Sequence, residues 1–187
     1  MSNLTKISIK SLYLNFIFKG FVADIFIAYK GLKVSFDRQL YHYTSECRLL
    51  AYSFFISHQE ESSKSRQIIK NALSGGAKAI FQGKIYVSSV AQKTDGYQMS
   101  NGLILTDDCQ FLVKPELEIY ADDVICSHGS ISGTLNSDHL FYLQSRGIPL
   151  VEAQKLLIQA FFAEILNEIN DEKLINLIQN QISIKLA

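Results

Sequence analysis

Lys114-Pro115-Glu116-Leu117-Glu118-Ile119-Tyr120-Ala121-Asp122-Asp123-Val124-Ile125-Cys126-Ser127-His128-Gly129 reads as strand, turn and strand with no helix between. Leu117 and Ile119 alternate with Glu116, Glu118 and Tyr120, the period of two that sends successive side chains to opposite faces. The carboxylates therefore fall on the solvent side. Asp122-Asp123 is a turn signal, because short acidic side chains hydrogen-bond their own backbone there. Val124 opens a second extended run at once, and strands joined without a crossover helix argue against a doubly wound sheet.

The same period runs through the first half of the chain, at Ile7 and Ile9, at Leu12, Leu14, Phe16 and Phe18, then at Ile25 and Ile27 and at Val34 and Phe36. Lys19-Gly20, Lys30-Gly31, Gly75-Gly76, Gln82-Gly83, Asp95-Gly96 and Asn101-Gly102 read as turns between short rungs. Periodicity alone leaves a sandwich, a barrel or a solenoid. The polar run Gln59 to Ser65 is expected to be a loop, and Arg66 to Leu73 a short helix or irregular strand ending at Gly75-Gly76. Ser11 to Tyr29 is the most apolar stretch, but Lys19 and Asp24 interrupt it near the middle, where charge is costly in a membrane. It reads as paired strands.

The last quarter changes period. Leu140, Phe141 and Leu143 fill a short helix with Ser137 as its cap, Gly147 as its stop and Arg146 at its negative end. Pro149 opens a longer helix, whose apolar stripe is expected at Ala153, Leu156, Leu157, Ala160, Phe161, Ile165 and Leu166. Leu174, Ile175, Ile178 and Ile182 mark a final amphipathic helix after Asn170-Asp171.

With 187 residues, 48% of them hydrophobic, the chain can bury a substantial core. Eighteen basic and eighteen acidic residues cancel, so no clustered positive surface for nucleic acid is expected. Lys64 to Lys70 reads as a small solvated basic face. Cys47, Cys109 and Cys126 are odd in number and lack CxxC spacing, which gives no disulfide framework and favours a reducing, cytoplasmic setting without a membrane.

The chain contains no GxSxG, GxxxxGK[ST], HExxH or GxGxxG element. Gly129-Ser130-Ile131-Ser132-Gly133 lacks the lysine and following helix of a phosphate cradle and reads as a turn. Glu116, Glu118, Asp122 and Asp123 read as solvent-facing and turn residues. Cys126 and His128, two apart on a strand, project together with Cα atoms about 6.5–7 Å apart. Thiolate and imidazole are ligands for iron, copper or zinc. Two ligands do not close a four-coordinate site, so a metal here needs donors from elsewhere in the chain or from a partner; a buried cysteine beside a hydrogen-bonded histidine is the plainer alternative. His42, His58 and His139 lack partners at ligand spacing and read as surface or capping residues. Cys47 and Cys109 read as small core hydrophobes.

Several strings together resemble the core domain shared by the SufB and SufD proteins: Ala79 to Val87, Ala91 to Asp95 with Gln98 behind it, Lys114 to Val124 running into Cys126-Ser127-His128-Gly129, and Leu140 to Leu143 with Ser145-Arg146-Gly147-Ile148. Cys-Ser-His-Gly after the acidic turn is similar to the SufD type. The resemblance implies a right-handed parallel β-helix over residues 1–135, then a small helical domain over 136–187. It implies a non-enzymatic scaffold in iron–sulfur cluster assembly that pairs with a SufB-like subunit and docks a SufC-like ATPase, or a homodimer where SufB is absent. No stably bound cofactor is implied, only a transient cluster or iron at the partner interface, with His128 as ligand and Cys126 beside it. Tyr142, Arg146 and Gly147 would lie near the ATPase-docking surface. The family is substantially longer, so the chain reads as a short or N-terminally truncated form, whether natural, split or frame-truncated. The competing readings are an interaction module that has lost assembly function and a metal- or cysteine-dependent enzyme using Cys126 and His128.

Overall fold

The computed structural model describes residues 9–17, 20–28, 32–37, 48–167 and 172–186. Nine strands come first, β1 (Ile9–Ile17), β2 (Gly20–Ala28), β3 (Leu32–Asp37), β4 (Arg48–His58), β5 (Lys64–Leu73), β6 (Ala77–Val87), β7 (Thr94–Ile104), β8 (Gln110–Ile119) and β9 (Val124–Gly133). Three helices follow, α1 (Ser137–Ser145), α2 (Leu150–Leu166) and α3 (Glu172–Leu186). The fold is mainly β with C-terminal helices, as expected. No helix among the described residues is long and apolar enough to cross a membrane. Ile7, Phe18, the Lys30-Gly31 turn, His42 and Cys47 lie outside the described residues.

From β4 onward the chain alternates between two sheets. One has the order β1-β2-β5-β7-β9 and the other β3-β4-β6-β8. The pairs β4–β6, β6–β8, β5–β7 and β7–β9 are all parallel and in register. Each strand from β6 to β9 thus lies on the strand two before it, and equivalent residues stack in columns. The beginning is different: β1 pairs antiparallel with β2, β2 with β5, and β3 with β4. The apolar stretch from Ser11 is indeed a pair of strands.

Strand parity sorts the side chains. On β6, Ala77, Ala79, Phe81, Gly83, Ile85 and Val87 are buried while the residues between them are not. Ile56 and Ile85 are fully enclosed with Val87 and Ala91, and Tyr52, Ile69 and Phe81 form a second apolar group between the sheets. Burying such side chains supplies about 1.5–3 kcal/mol each. On the outer side of β6 and β8, Lys84 pairs with Glu118, and Lys114 with Glu116 at 2.8 Å. The carboxylates of β8 therefore face solvent, as their alternation predicts.

Three glycines expected in turns lie within strands. Gly83 is in β6, and Gly96 and Gly102 are in β7. Each clears room for a neighbouring side chain: a Cβ on Gly83 would lie 2.2 Å from Gln98 Nε2, one on Gly96 would lie 3.2 Å from Cys126 Sγ, and one on Gly102 would lie 2.2 Å from the Phe111 ring. A strand glycine marks close approach as readily as a turn. Gly75 and Gly76 do turn the chain, with φ of 60° and 75°. Gly83→Ala pushes a methyl into the Gln98 amide, so it is expected to destabilise the fold by about 1–3 kcal/mol, read as a lower urea midpoint.

Other expectations also change. Of the two alternatives for Arg66 to Leu73 the strand is realised, as part of β5, whereas Gly129 to Gly133 completes strand β9 instead of turning. The helix α1 is capped by Asn136, whose Oδ1 accepts from His139 N–H at 2.9 Å, and not by Ser137. Gly147 ends that segment at φ 84° as expected. On α2 the buried residues are Ala153, Ile158, Phe162, Ile165 and Leu166. The stripe is rotated because this helix carries apolar residues around most of its circumference, and docking chooses the face. Ile158, Phe162, Ile165 and Leu166 pack with Ile178 and Ile182 of α3 on Ile68, Ala72 and Leu103, the outer side of β5 and β7. Lys70 belongs to that covered side too. It is not part of a solvated basic face: its ammonium pairs with Glu164, donates to Phe161 O at 2.7 Å and sits 4.5 Å from the Phe161 ring centre.

Candidate functional site

The register places the residues of interest in two columns inside the stack. Ser65, Gly96 and Cys126 occupy successive rungs of one, and Gln67, Gln98 and His128 successive rungs of the other. Strand β9 is the last strand of its sheet. His128 is therefore on the inward parity yet exposed, because no further strand among the described residues covers it, while Gln67 and Gln98 beneath it are 2% and 1% exposed. Ile125 and Ile131, on the opposite parity of β9, are 75% and 62% exposed. The sequence expectation that Cys126 and His128 share a face holds in the register.

Cys126 is half-buried, its Sγ against Gly96. Burial pushes the Cys126 thiol up from its ordinary value, the Gly96 backbone N–H opposes this and the nearby Asp95 charge adds to it. A thiol held protonated is the reverse of an activated nucleophile, which needs a thiolate and an orienting base. A metal ion displaces that proton on binding. Among the described residues no three histidine, cysteine or acidic side chains converge as a metal site. The donor set Cys126 and His128 fits half of a shared site and does not fit a closed four-coordinate one.

Tyr142, Arg146 and Gly147 form a separate group at the end of α1. The Arg146 guanidinium lies 5.4 Å from the Tyr142 ring centre, and Tyr142 O accepts from Ser145 Oγ at 2.7 Å. Phe141 and Tyr142 are 74% and 57% exposed. His139 is exposed, as expected. His58 is not a surface residue; it is fully buried, with Nδ1 2.8 Å from Ser63 Oγ and Nε2 2.9 Å from Ser65 Oγ. Its two partners are five and seven residues on in sequence, across the β4–β5 turn, a spacing that fits no metal template. Cys109 packs against Leu73, Ala77 and Ala79. Gln67 and Gln98 are the residues that sequence reasoning did not assign to the site. Their signal is a spacing close to thirty residues between Gln67, Gln98 and His128, visible only once the rungs are aligned.

The family model for "SUF system FeS cluster assembly, SufBD core domain" matches residues 8–161. The iron–sulfur cluster assembly protein SufD of Escherichia coli is 42% identical over 120 residues, covering 64% of this chain and 28% of that protein. A SufBD family protein of Synechocystis is 42% identical over 105 residues, covering 56% and 23%. SufD of Bacillus subtilis is 32% identical over 114 residues, covering 61% and 26%. The chain thus spans about a quarter of the length of these relatives. With the family model matching most of the chain and SufD proteins matching more than half of it, the chain belongs to the SufB/SufD family and is of the SufD type.

Proposed function

We propose that this chain is a non-enzymatic scaffold subunit of iron–sulfur cluster assembly, working in the cytoplasm with a SufB-like partner and a SufC-like ATPase. The observation that carries this reading is the pair Cys126 and His128, on the inward parity of a last strand that no other strand covers among the described residues. A partner strand laid along β9 would bring the missing donors to that edge, because exposed strand edges are templates for pairing. The iron or nascent cluster is cargo and not a resident group. Donors split between two chains let it go when the chains separate, which suits transfer. The two-sheet alternation and the in-register parallel rungs from β4 to β9 support a right-handed parallel β-helix as the body of the scaffold, within a β-rich part taken as residues 1–135, with 136–187 as its helical domain. On α1 and α2, Phe141, Tyr142, Leu150 and Val151 are exposed apolar residues beside Arg146 and Gly147. An exposed apolar set of this kind suits docking of the ATPase.

The test combines co-purification with SufB-like and SufC-like subunits with anaerobic addition of iron and sulfide. Visible cluster absorption is expected in the complex and not in the isolated chain, and His128→Ala is expected to remove it while leaving co-purification intact. Cluster formation that persists at the wild-type level in the His128→Ala complex overturns the assignment of His128. Binding of the ATPase with no support for assembly identifies an interaction module instead.

A further inference from the structure

We propose that Gln98 is the positioning residue of His128: its side-chain oxygen accepts the His128 ring N–H and so fixes which imidazole nitrogen faces the cargo. The inference rests on the reading of His128 as a ligand, and it deepens that reading.

In parallel strands held in register, stacked side-chain amides form a ladder, each NH2 donating to the carbonyl of the strand behind it at the strand repeat of about 4.8 Å. Gln98 follows this rule backwards, since its Nε2 donates to Gln67 Oε1 on the preceding rung. That leaves Gln98 Oε1 buried and without a partner. The ladder's next member has to be a donor from the next rung, and the residue in register there is His128. Leaving a buried amide oxygen unpaired forfeits its hydration with nothing in return, so the pairing removes a penalty as well as adding a bond. Gly83 holds the acceptor in place. The Gln98 amide lies over its Cα, where any side chain would displace it. One rung further in that opposite sheet stands Pro115, in register with Gly83, which brings neither a side-chain donor nor an acceptor to compete.

A neutral imidazole has one N–H and one lone pair. With the N–H committed to Gln98 Oε1, the lone pair is on the other nitrogen, turned away from the interior and available to a metal ion. Outer partners of metal-bound histidines act in this way, and their loss typically costs 10–100-fold in affinity or activity.

The experiment uses the full chain with 15N-labelled histidine, at a pH where the ring is neutral, and reads the tautomer of His128 from the two-bond proton–nitrogen correlation. One dominant tautomer is expected in the wild-type chain. Gln98→Leu, close in size but without the acceptor, is expected to shift His128 to a mixture, while exposed His139 stays unchanged. Gln98→Glu keeps an oxygen acceptor and is expected to restore the single tautomer. Gln67→Leu, which perturbs the same column behind Gln98, is expected to leave it in place. An unchanged His128 tautomer in Gln98→Leu, or an equal shift in Gln67→Leu, overturns the proposal. Cluster formation in the complex is expected to fall 10–100-fold in Gln98→Leu. If His128→Ala does not affect assembly, the ligand reading fails, whereas the tautomer result still decides whether Gln98 positions the ring.

Discussion

Truncation of Phe162 to alanine is expected to destabilise the protein by about 3–5 kcal/mol, the cost of deleting a buried aromatic ring from a packed interface. Phe162 is 1% exposed and lies in the apolar group that joins α2 and α3 to the outer side of β5 and β7. Its ring meets Phe161 edge to face, with centres 5.1 Å apart. Phe161 in turn supplies the carbonyl and the ring that hold the Lys70 ammonium, so a cavity at 162 also loosens the anchor of that buried cation. Domains are stable by only about 5–15 kcal/mol in total. The loss therefore shows as a large drop in the urea midpoint, and a Phe162→Leu variant should recover more than half of it. A change below about 1 kcal/mol for Phe162→Ala means that the helices do not depend on this contact.

Acidification is expected to remove about 2–3 kcal/mol of stability between pH 7 and pH 4.5 through His58 alone. Burial drives its pKa down from 6.5 to about 4. The folded value is below the unfolded one, so the unfolded chain binds the proton more tightly in this window. Stability is complete above pH 6.5 and is lost as the pH falls towards 4. The neutral ring is held between two serine hydroxyls, and Ser63 Oγ lies 3.2 Å from Thr94 Oγ1, which donates to Ala91 O at 2.8 Å. None of these neighbours offers a negative charge to an imidazolium. Denaturant midpoints measured at both pH values for wild type and His58→Gln check this: the variant should be less stable at pH 7 and much flatter with pH. Equal slopes for the two proteins sink the assignment.

The alternation at Leu117 and Ile119 was sufficient to orient β8, because a strand's period of two depends only on local backbone geometry. The acidic turn and the shared face of Cys126 and His128 followed from the same local rule. What could not be read were features set by neighbours about thirty residues away. Gly83, Gly96 and Gly102 look like turns until Gln98, Cys126 and Phe111 are seen against them. His58 looks like surface until Ser63 and Ser65 fold back on it. The buried face of α2 was missed by part of a turn, since Leu156 and Ile158 are equally apolar and only the sheet beneath chooses between them. The partial site was legible, but its ladder of amides was not, because Gln67, Gln98 and His128 become neighbours only when the rungs stack.

The stacking of each strand on the one 29–32 residues earlier also governs how the chain assembles in time. Every new rung closes a loop of the same length, an entropic cost of about 3 kcal/mol before constants, and the cost does not grow with the number of rungs. Assembly of this kind proceeds like a zipper from an inner nucleus, with stability carried between nearest neighbours. Among the described parallel rungs, β8 and β9 each have a neighbour on one side alone, so these two close last and fray first. The strand bearing Cys126 and His128 is thus one of the two whose amides exchange fastest among the parallel rungs, and a partner strand laid upon it would slow that exchange.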